Sequence, residues 1–115
     1  MKLVVIESPY AGKTDEETQE NVEYAKRCVH DCLQKGEAPY ASHLFFTQPG
    51  ILDDKVPGER TLGINAGFAW GEKAELVAVY VDRGISSGMK KGIERAIEKN
   101  QKIEYRSLNL LPKES

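Results

Sequence analysis

Short apolar runs alternate with amphipathic stretches along the chain. Leu3 to Ile6 are continuously apolar and rich in β-branched residues, and Leu76 to Val81 form the clearest run of this kind. Continuous apolar runs of this length are typical of strands that are covered on both faces, as in parallel sheets. The pattern therefore predicts buried strands at the N-terminus and from Glu75 to Asp82.

A long amphipathic helix is predicted after the first strand. Turn residues break the strand at Ser8 to Gly12, and Thr14 then begins a helix with Glu17 as a capping-box partner. Lys35 and Gly36 end it in the usual way, with a cation and then a glycine. The predicted apolar stripe consists of Val22, Ala25, Val29, Cys32 and Leu33.

The middle of the chain predicts shorter elements. Residues 38–41 form a brief second strand or an extended loop, and residues 42–54 include one helical turn and then a loop. A second helix is predicted from Gly58 to Glu72. Its glycines recur every four residues, at Gly63, Gly67 and Gly71, which indicates close packing against a neighbouring element.

The C-terminal third predicts one more helix and one more strand. Ser86 or Ser87 caps a helix that runs to Lys99 or Asn100, and a last strand covers residues 102–108. The residues of this helix that are expected to face inward are Met89, Ile93, Ala96 and Ile97. Residues 109–115 are expected to form a loose tail.

The order β-α-β-(α)-β-α-β predicts an α/β fold. Strands that alternate with helices are joined by right-handed crossovers and form a parallel sheet. We therefore expect a three-layer, flavodoxin- or Rossmann-like sandwich with four or five parallel strands, in a single domain over residues 1–115. Ligands of such sheets bind outside the carboxyl ends of the strands.

Composition narrows the classes of partner. The chain has 115 residues, of which 30% are charged, and its 18 acidic residues outnumber its 16 basic ones without any basic block. A nucleic-acid-binding surface is not indicated, and no apolar stretch approaches the roughly 20 residues that span a bilayer. Without a recognisable signal peptide, the expected location is the cytoplasm. Cys28 and Cys32 are expected to be buried thiols, and no metal or cofactor is predicted.

Two loops leave the carboxyl ends of the clearest strands. The first, Glu7 to Thr14, contains Tyr10, which either stacks on a base and bonds a sugar or simply packs at the rim of the sheet. The second, Asp82 to Met89, opens a helix with Ser86-Ser87-Gly88. The free N–H groups of a helix start favour an anion, although serine is also an ordinary helix cap.

Two further features of these loops concern phosphate binding and acid–base chemistry. Gly12-Lys13-Thr14 is similar to the end of a phosphate-binding loop, but Glu7 occupies the position where that motif requires a glycine, so such a loop is not predicted. His43 is a candidate acid, base or ligand contact, with a purely structural role as the alternative.

The chain resembles the nucleoside 2-deoxyribosyltransferase-like superfamily. The segments that carry the resemblance are Ile6 to Gly12, Asn21 and Ala25, Gly36 to Pro39, Ser42-His43-Leu44 and the Ser-Ser-Gly-Met helix start. A small branch of that superfamily is more similar still, through Gly84 to Met89 and Glu104-Tyr105-Arg106. The resemblance extends to about Leu108.

The resemblance implies a nucleoside- or nucleotide-binding protein that cleaves or transfers an N-glycosidic bond. It implies that Tyr10 lies by the sugar, that the helix start holds a 5′-phosphate or hydroxyl, and that the protein is a homo-oligomer, for which the helix from Gly58 to Glu72 is our candidate contact. The position of the superfamily's catalytic glutamate is Gly92 here, and its aspartate falls near Asn65 or Gly67.

The site predicted from the sequence combines these observations. The candidate catalytic carboxylates are Glu7 and Glu94, and the predicted ligand-binding residues are Ser8, Tyr10, His43, Asn65, Asp82, Ser86, Ser87, Gly88 and Met89. Because Glu94 is two residues, or about 200°, from Gly92 along a helix, it should face away from the site. The missing glutamate leaves two alternatives open: a non-catalytic binder that senses or sequesters a nucleotide or ADP-ribose-like ligand, and an interaction protein that keeps only the fold.

Overall fold

Four parallel strands form the centre of the fold. The computed structural model describes residues 1–109. The strands are β1 (Leu3–Glu7), β2 (Ala38–Tyr40), β3 (Leu76–Tyr80) and β4 (Lys102–Arg106), and the helices are α1 (Asp15–Gln34), α2 (Ser42–Phe45), α3 (Pro57–Gly71) and α4 (Ser87–Glu98). The sheet order is β2-β1-β3-β4, with every neighbouring pair parallel. The predicted α/β fold with a short parallel sheet is confirmed.

Helices cover both faces of this sheet. On one face, Val4 and Ile6 of β1 pack with Cys28 and Cys32 of α1. On the other face, alternate strand residues, Val77 and Val79 among them, pack with Met89 and Ala96 of α4. Because successive side chains of a strand point to opposite faces, β1 contributes to both cores. Its last residue, Glu7, therefore follows Val5 onto the α4 side.

The starts of α1 and α4 are capped by residues that the sequence predicts, Thr14 and Ser86. The Thr14 hydroxyl accepts a hydrogen bond from the Glu17 amide at 3.1 Å. The Ser86 hydroxyl accepts one from the Met89 amide at 3.2 Å, which makes Ser86 the cap of α4. These bonds satisfy N–H groups that have no partner within the helix.

Two predictions about the helix stripes are wrong. Leu33 is 49% exposed and Ile97 is 61% exposed. Both follow a buried residue, Cys32 and Ala96, by one position, and a step of about 100° around a helix turns the next side chain out of the core. In α4 the buried stripe runs through Gly92 instead.

The glycines of α3 pack closely against neighbouring elements, as their spacing predicts. A Cβ atom at Gly67 would lie 2.7 Å from Ser42 Oγ, and one at Gly63 would lie 3.2 Å from Leu52 Cδ1. Trp70, near the end of α3, is exposed and packs its ring at 6.1 Å from that of Tyr40. Over the described residues, no helix has the length and apolar character to cross a membrane.

A buried ion pair joins the last strand to the segment that enters β2. The two terminal guanidinium nitrogens of Arg106, Nη1 and Nη2, donate to the Glu37 carboxylate, at 2.8 and 2.7 Å, and the Arg106 side chain is only 7% exposed. The guanidinium holds the pKa of Glu37 below its ordinary value. Cys28 and Cys32 are free and buried, as predicted, and burial raises the pKa of Cys28 to about 12. The predicted loose tail falls largely on residues 110–115, which lie outside the described residues.

Candidate functional site

A cavity of about 230 Å³ opens at the carboxyl end of β1. Its floor is the end of β1 and the loop that follows, its walls are α2 and α3, and the first turns of α4 close the remaining side. This is the edge of the sheet where ligands of parallel α/β folds bind.

Glu7, the last residue of β1, places its carboxyl group in this cavity against Gly92 of α4. A Cβ atom at Gly92 would overlap that carboxyl group, with Glu7 Cδ only 2.5 Å away. Glu7 therefore fills the space beside α4 that a side chain at position 92 would need.

The Glu7 carboxyl group is shielded from bulk water. Burial raises its pKa from 4.5 to about 8, so it carries its proton at neutral pH. Among residues 1–109 it makes no hydrogen bond or ion pair with the protein. A protonated carboxyl group without a protein partner is free to donate its proton to a ligand.

Ser8 and His43 form a second polar group in the cavity. Ser8 Oγ and His43 Nε2 share a hydrogen bond of 2.7 Å between the β1 exit loop and α2. Burial lowers the pKa of His43 to about 4, so the imidazole is neutral at physiological pH. Together the pair presents uncharged donors and acceptors.

The loop after β1 is fixed by side chains of α1. Asn21 Nδ2 donates to the Tyr10 carbonyl oxygen at 2.9 Å, and Thr18 Oγ1 accepts from the Gly12 amide at 2.8 Å. Gly12 lies so close to Glu17 that a Cβ atom there would overlap the Glu17 side chain. These contacts hold the half-buried Tyr10 at the cavity.

The start of α4 contributes the other predicted binding residues. Ser86, Ser87, Gly88 and Met89 all line the cavity. Ser87 and Gly88 are exposed, and a Cβ atom at Gly88 would meet nothing closer than Ser86 Oγ at 4.0 Å. Met89 is buried in the core, and its sulfur accepts from the Ser86 amide at 3.4 Å.

Tyr40 is a cavity residue that the sequence pattern did not single out. Its hydroxyl is buried and has no hydrogen-bond partner in the described part of the chain. Tyr40 pairs with Val5 in the parallel register of β2 and β1, which places it on the same sheet face as Glu7. Its position as the last residue of a strand was the available signal.

Charged side chains form the outer part of the cavity wall. Arg60 pairs with Asp54 at 3.1 Å, and Arg95 pairs with Glu72 at 3.0 Å and lies over the ring of Phe68. Lys91 adds a further cation on α4. The cavity thus has a neutral floor and a mixed-charge rim.

Three predicted site residues lie away from the cavity lining. Glu94 is exposed on α4, as its 200° rotation from Gly92 predicts, and Asn65 is exposed on α3. The Asp82 carboxylate instead accepts hydrogen bonds from the hydroxyls of Tyr24 and Ser107, at 2.6 and 2.7 Å. Asp82 therefore joins α1 to the segment after β4. No group of three or more metal-ligating side chains occurs within residues 1–109.

The sheet order, the covering helices and the cavity define a Rossmann-like α/β fold with a pocket at the carboxyl edge of its sheet. The chain belongs to the family described as a domain of unknown function, DUF7768, whose model matches residues 2–106. No curated protein matches the chain significantly.

A solved structure shares the fold. It is a 2-deoxyribosyltransferase from the psychrotolerant bacterium Bacillus psychrosaccharolyticus, described as a biocatalyst for the synthesis of nucleosides. The TM-score is 0.63 at 12% sequence identity, and the match covers 96% of this chain and 77% of that one. At this identity the likeness shows the fold.

Proposed function

We propose that this protein binds a nucleoside or nucleotide in the cavity and cleaves or transfers its N-glycosidic bond, with Glu7 as the catalytic carboxyl group. The observation that carries the proposal is the position of the Glu7 carboxyl group, which lines the cavity and has no hydrogen-bond or ion-pair partner among residues 1–109. The pKa of about 8 supports the proposal, because the group then keeps its proton at neutral pH. The fold shared with a 2-deoxyribosyltransferase supports the substrate class.

Glu7 is suited to act as a general acid. As the bond between the anomeric carbon and the base nitrogen breaks, the bonding electron pair leaves with the base, which takes the proton of Glu7. The Glu7 carboxylate then balances the positive charge on the sugar. Water or an acceptor nucleophile adds to the anomeric carbon and returns a proton to Glu7.

The other cavity residues position the ligand in this proposal. Ser8, Tyr10 and His43 face the sugar, because Ser8 and Tyr10 lie on the floor of the cavity with Glu7 and His43 reaches Ser8 from the α2 wall. The start of α4 receives the 5′ end, where Ser87 offers a hydroxyl group and the amides of Ser87 and Gly88 point out of the first helical turn.

The test measures binding and chemistry separately. Wild type, Glu7→Gln and Glu94→Gln are mixed with nucleosides, nucleoside mono- and diphosphates and ADP-ribose. Thermal shift reports binding, and chromatography reports free base. We expect Glu7→Gln to keep the thermal shift and lose at least about 100-fold in base release. Glu94→Gln, whose side chain lies outside the cavity lining, should behave as wild type.

The pH profile tests the acid role. Base release by wild type should fall as the pH rises through about 8, because ionised Glu7 has no proton to give. A rate that rises through this range would contradict the acid role. Binding without base release would support the non-catalytic binder, and the absence of any thermal shift would refute the proposal.

A further inference from the structure

We propose that Gly92 is the positioning residue for the carboxyl group of Glu7, and that the site needs one carboxyl group at this point, carried by either β1 or α4. The inference rests on the proposed function and deepens it, because it identifies what places the catalytic group. It assigns a role to a glycine that has no reactive atom of its own.

The first support is the packing of the two residues. Gly92 lies on the buried stripe of α4, one helical turn before Ala96, and faces the end of β1. All three of the closest atoms to a Cβ at position 92 belong to the carboxyl group of Glu7. No other side chain of the described residues comes as close, so the missing Cβ makes room for one particular group.

The second support is the distance between position 92 and the carboxyl carbon of Glu7. The distance from a Cβ at position 92 to Glu7 Cδ is 2.5 Å. In a glutamate side chain, Cβ and Cδ are separated by two C–C bonds of about 1.5 Å each, and therefore by about 2.5 Å. The length of a glutamate side chain at position 92 thus matches the distance to the point where the carboxyl carbon of Glu7 now lies, provided that residue 7 is small.

Titratable and charged side chains from several elements share the cavity with the carboxyl group. They are His43 from α2, Asp54 from the loop before α3, Glu59 and Arg60 from α3, Glu72 at the end of α3, and Lys91 and Arg95 from α4. An exchange between positions 7 and 92 changes the element that carries the carboxyl group and leaves these neighbours in place.

The experiment uses the whole chain with four variants: Gly92→Ala, Gly58→Ala, Glu7→Gly, and the double variant Glu7→Gly with Gly92→Glu. Gly92→Ala should fold, because the atoms that must move are the far end of one flexible side chain. Gly58→Ala is the matched control, since a Cβ atom there meets nothing within 4 Å. Three quantities are measured: base release, the ligand-induced thermal shift, and the titration midpoint of Glu7 by carboxyl carbon NMR, assigned through Glu7→Gln.

In Gly92→Ala we expect the displaced carboxyl group to titrate closer to the ordinary 4.5 than to about 8, and base release to fall about 100-fold. Gly58→Ala should change neither quantity. The double variant should release base at least about 10-fold faster than Glu7→Gly alone. This rescue is not expected from a glycine whose role is only structural.

Two results would overturn the inference. One is a Glu7 midpoint near 8 with wild-type base release in Gly92→Ala. The other is a folded double variant that is no faster than Glu7→Gly. If wild type releases no base, the proposed function fails. The titration midpoint of Glu7 in Gly92→Ala still decides whether Gly92 positions the carboxyl group.

Discussion

At the scale of single residues, burial of an ionisable side chain has two outcomes in the described part of the chain: the group keeps its charge beside a partner, or it becomes neutral. Arg106 and Glu37 remain charged because two short hydrogen bonds join them. Glu7 and His43 are instead neutral at physiological pH, since burial shifts both pKa values toward the uncharged form. The ion pair thus keeps its charges when buried, whereas Glu7 and His43 of the candidate site lose theirs.

The ion pair gives a prediction about stability. Arg106→Met should lower the free energy of unfolding by up to about 3 kcal/mol, because it leaves the largely buried Glu37 carboxylate without this partner and also removes the 2.7 Å hydrogen bond from Arg106 Nε to Glu104. Urea unfolding measures the change. The control, Lys26→Met, removes the exposed pair with Glu23 and should cost less than about 1 kcal/mol.

A double variant shows whether the loss of stability in Arg106→Met comes from the unpaired Glu37 carboxylate or from the loss of the Arg106 side chain itself. Adding Glu37→Leu to Arg106→Met removes the stranded charge and should recover much of the loss. Similar costs for Arg106→Met and Lys26→Met would show that the buried pair contributes no more than a surface one.

The residues also show what the sequence could reveal about the site. Glu7, Tyr10, His43 and the start of α4 were predictable, because strand ends of a parallel sheet meet at one edge. The contact between Glu7 and Gly92 was not, since it joins residues 85 positions apart and depends on where α4 crosses β1. Tyr40 was missed because the short β2 gives a weak pattern.

At the scale of elements, α3 packs closely against α2 because Gly67 of α3 has no side chain at the point of contact with Ser42. Most of the fold was predictable at this scale, because apolar runs and helix caps mark each element locally. The segment 42–54 was harder to predict, since α2 has only four residues and no side-chain cap.

A substitution at Gly67 tests the close packing of α3 against α2. Gly67→Ala should destabilise the protein by about 1 to 3 kcal/mol, because the new Cβ atom would lie 2.7 Å from Ser42 Oγ. Gly58→Ala, in open space on the same helix, should be neutral or stabilising by up to about 1 kcal/mol. Thermal unfolding of both variants tests the difference.

A second substitution checks the cause. Ser42→Gly removes both atoms that a Cβ at Gly67 would meet, so Gly67→Ala should cost less in that background than in wild type. An undiminished cost would mean that some other contact of α3 is responsible.

At the scale of the whole molecule, the two neutral groups of the cavity set how stability changes with pH. The folded chain keeps the Glu7 proton up to about pH 8, while the unfolded chain releases it near 4.5, so stability falls as the pH rises between these values. The unfolded chain protonates His43 below 6.5, while the folded chain does so near 4, so stability falls as the pH drops through this range. The two trends oppose each other between 4.5 and 6.5.

Above pH 6.5, His43 is neutral in both the folded and the unfolded chain, so of these two groups only Glu7 still changes the stability. We expect the free energy of unfolding of wild type to decline by up to about 2 kcal/mol from pH 6.5 to 8, and this decline to be absent in Glu7→Gln. Urea unfolding at both pH values measures it, with Glu94→Gln as a control that keeps the decline. An equal decline in Glu7→Gln would show that Glu7 is ionised in the folded protein.

The outer strands of the sheet have a consequence for behaviour at high concentration. The Ala38 amide donates to Lys2 on the β1 side, so the next nitrogen, that of Pro39, faces the open side of β2 and carries no hydrogen. On the opposite side, β4 carries the charged side chains of Lys102 and Glu104 at alternate positions. A proline and charged side chains make both borders poor templates for another strand, which protects the protein from edge-to-edge aggregation.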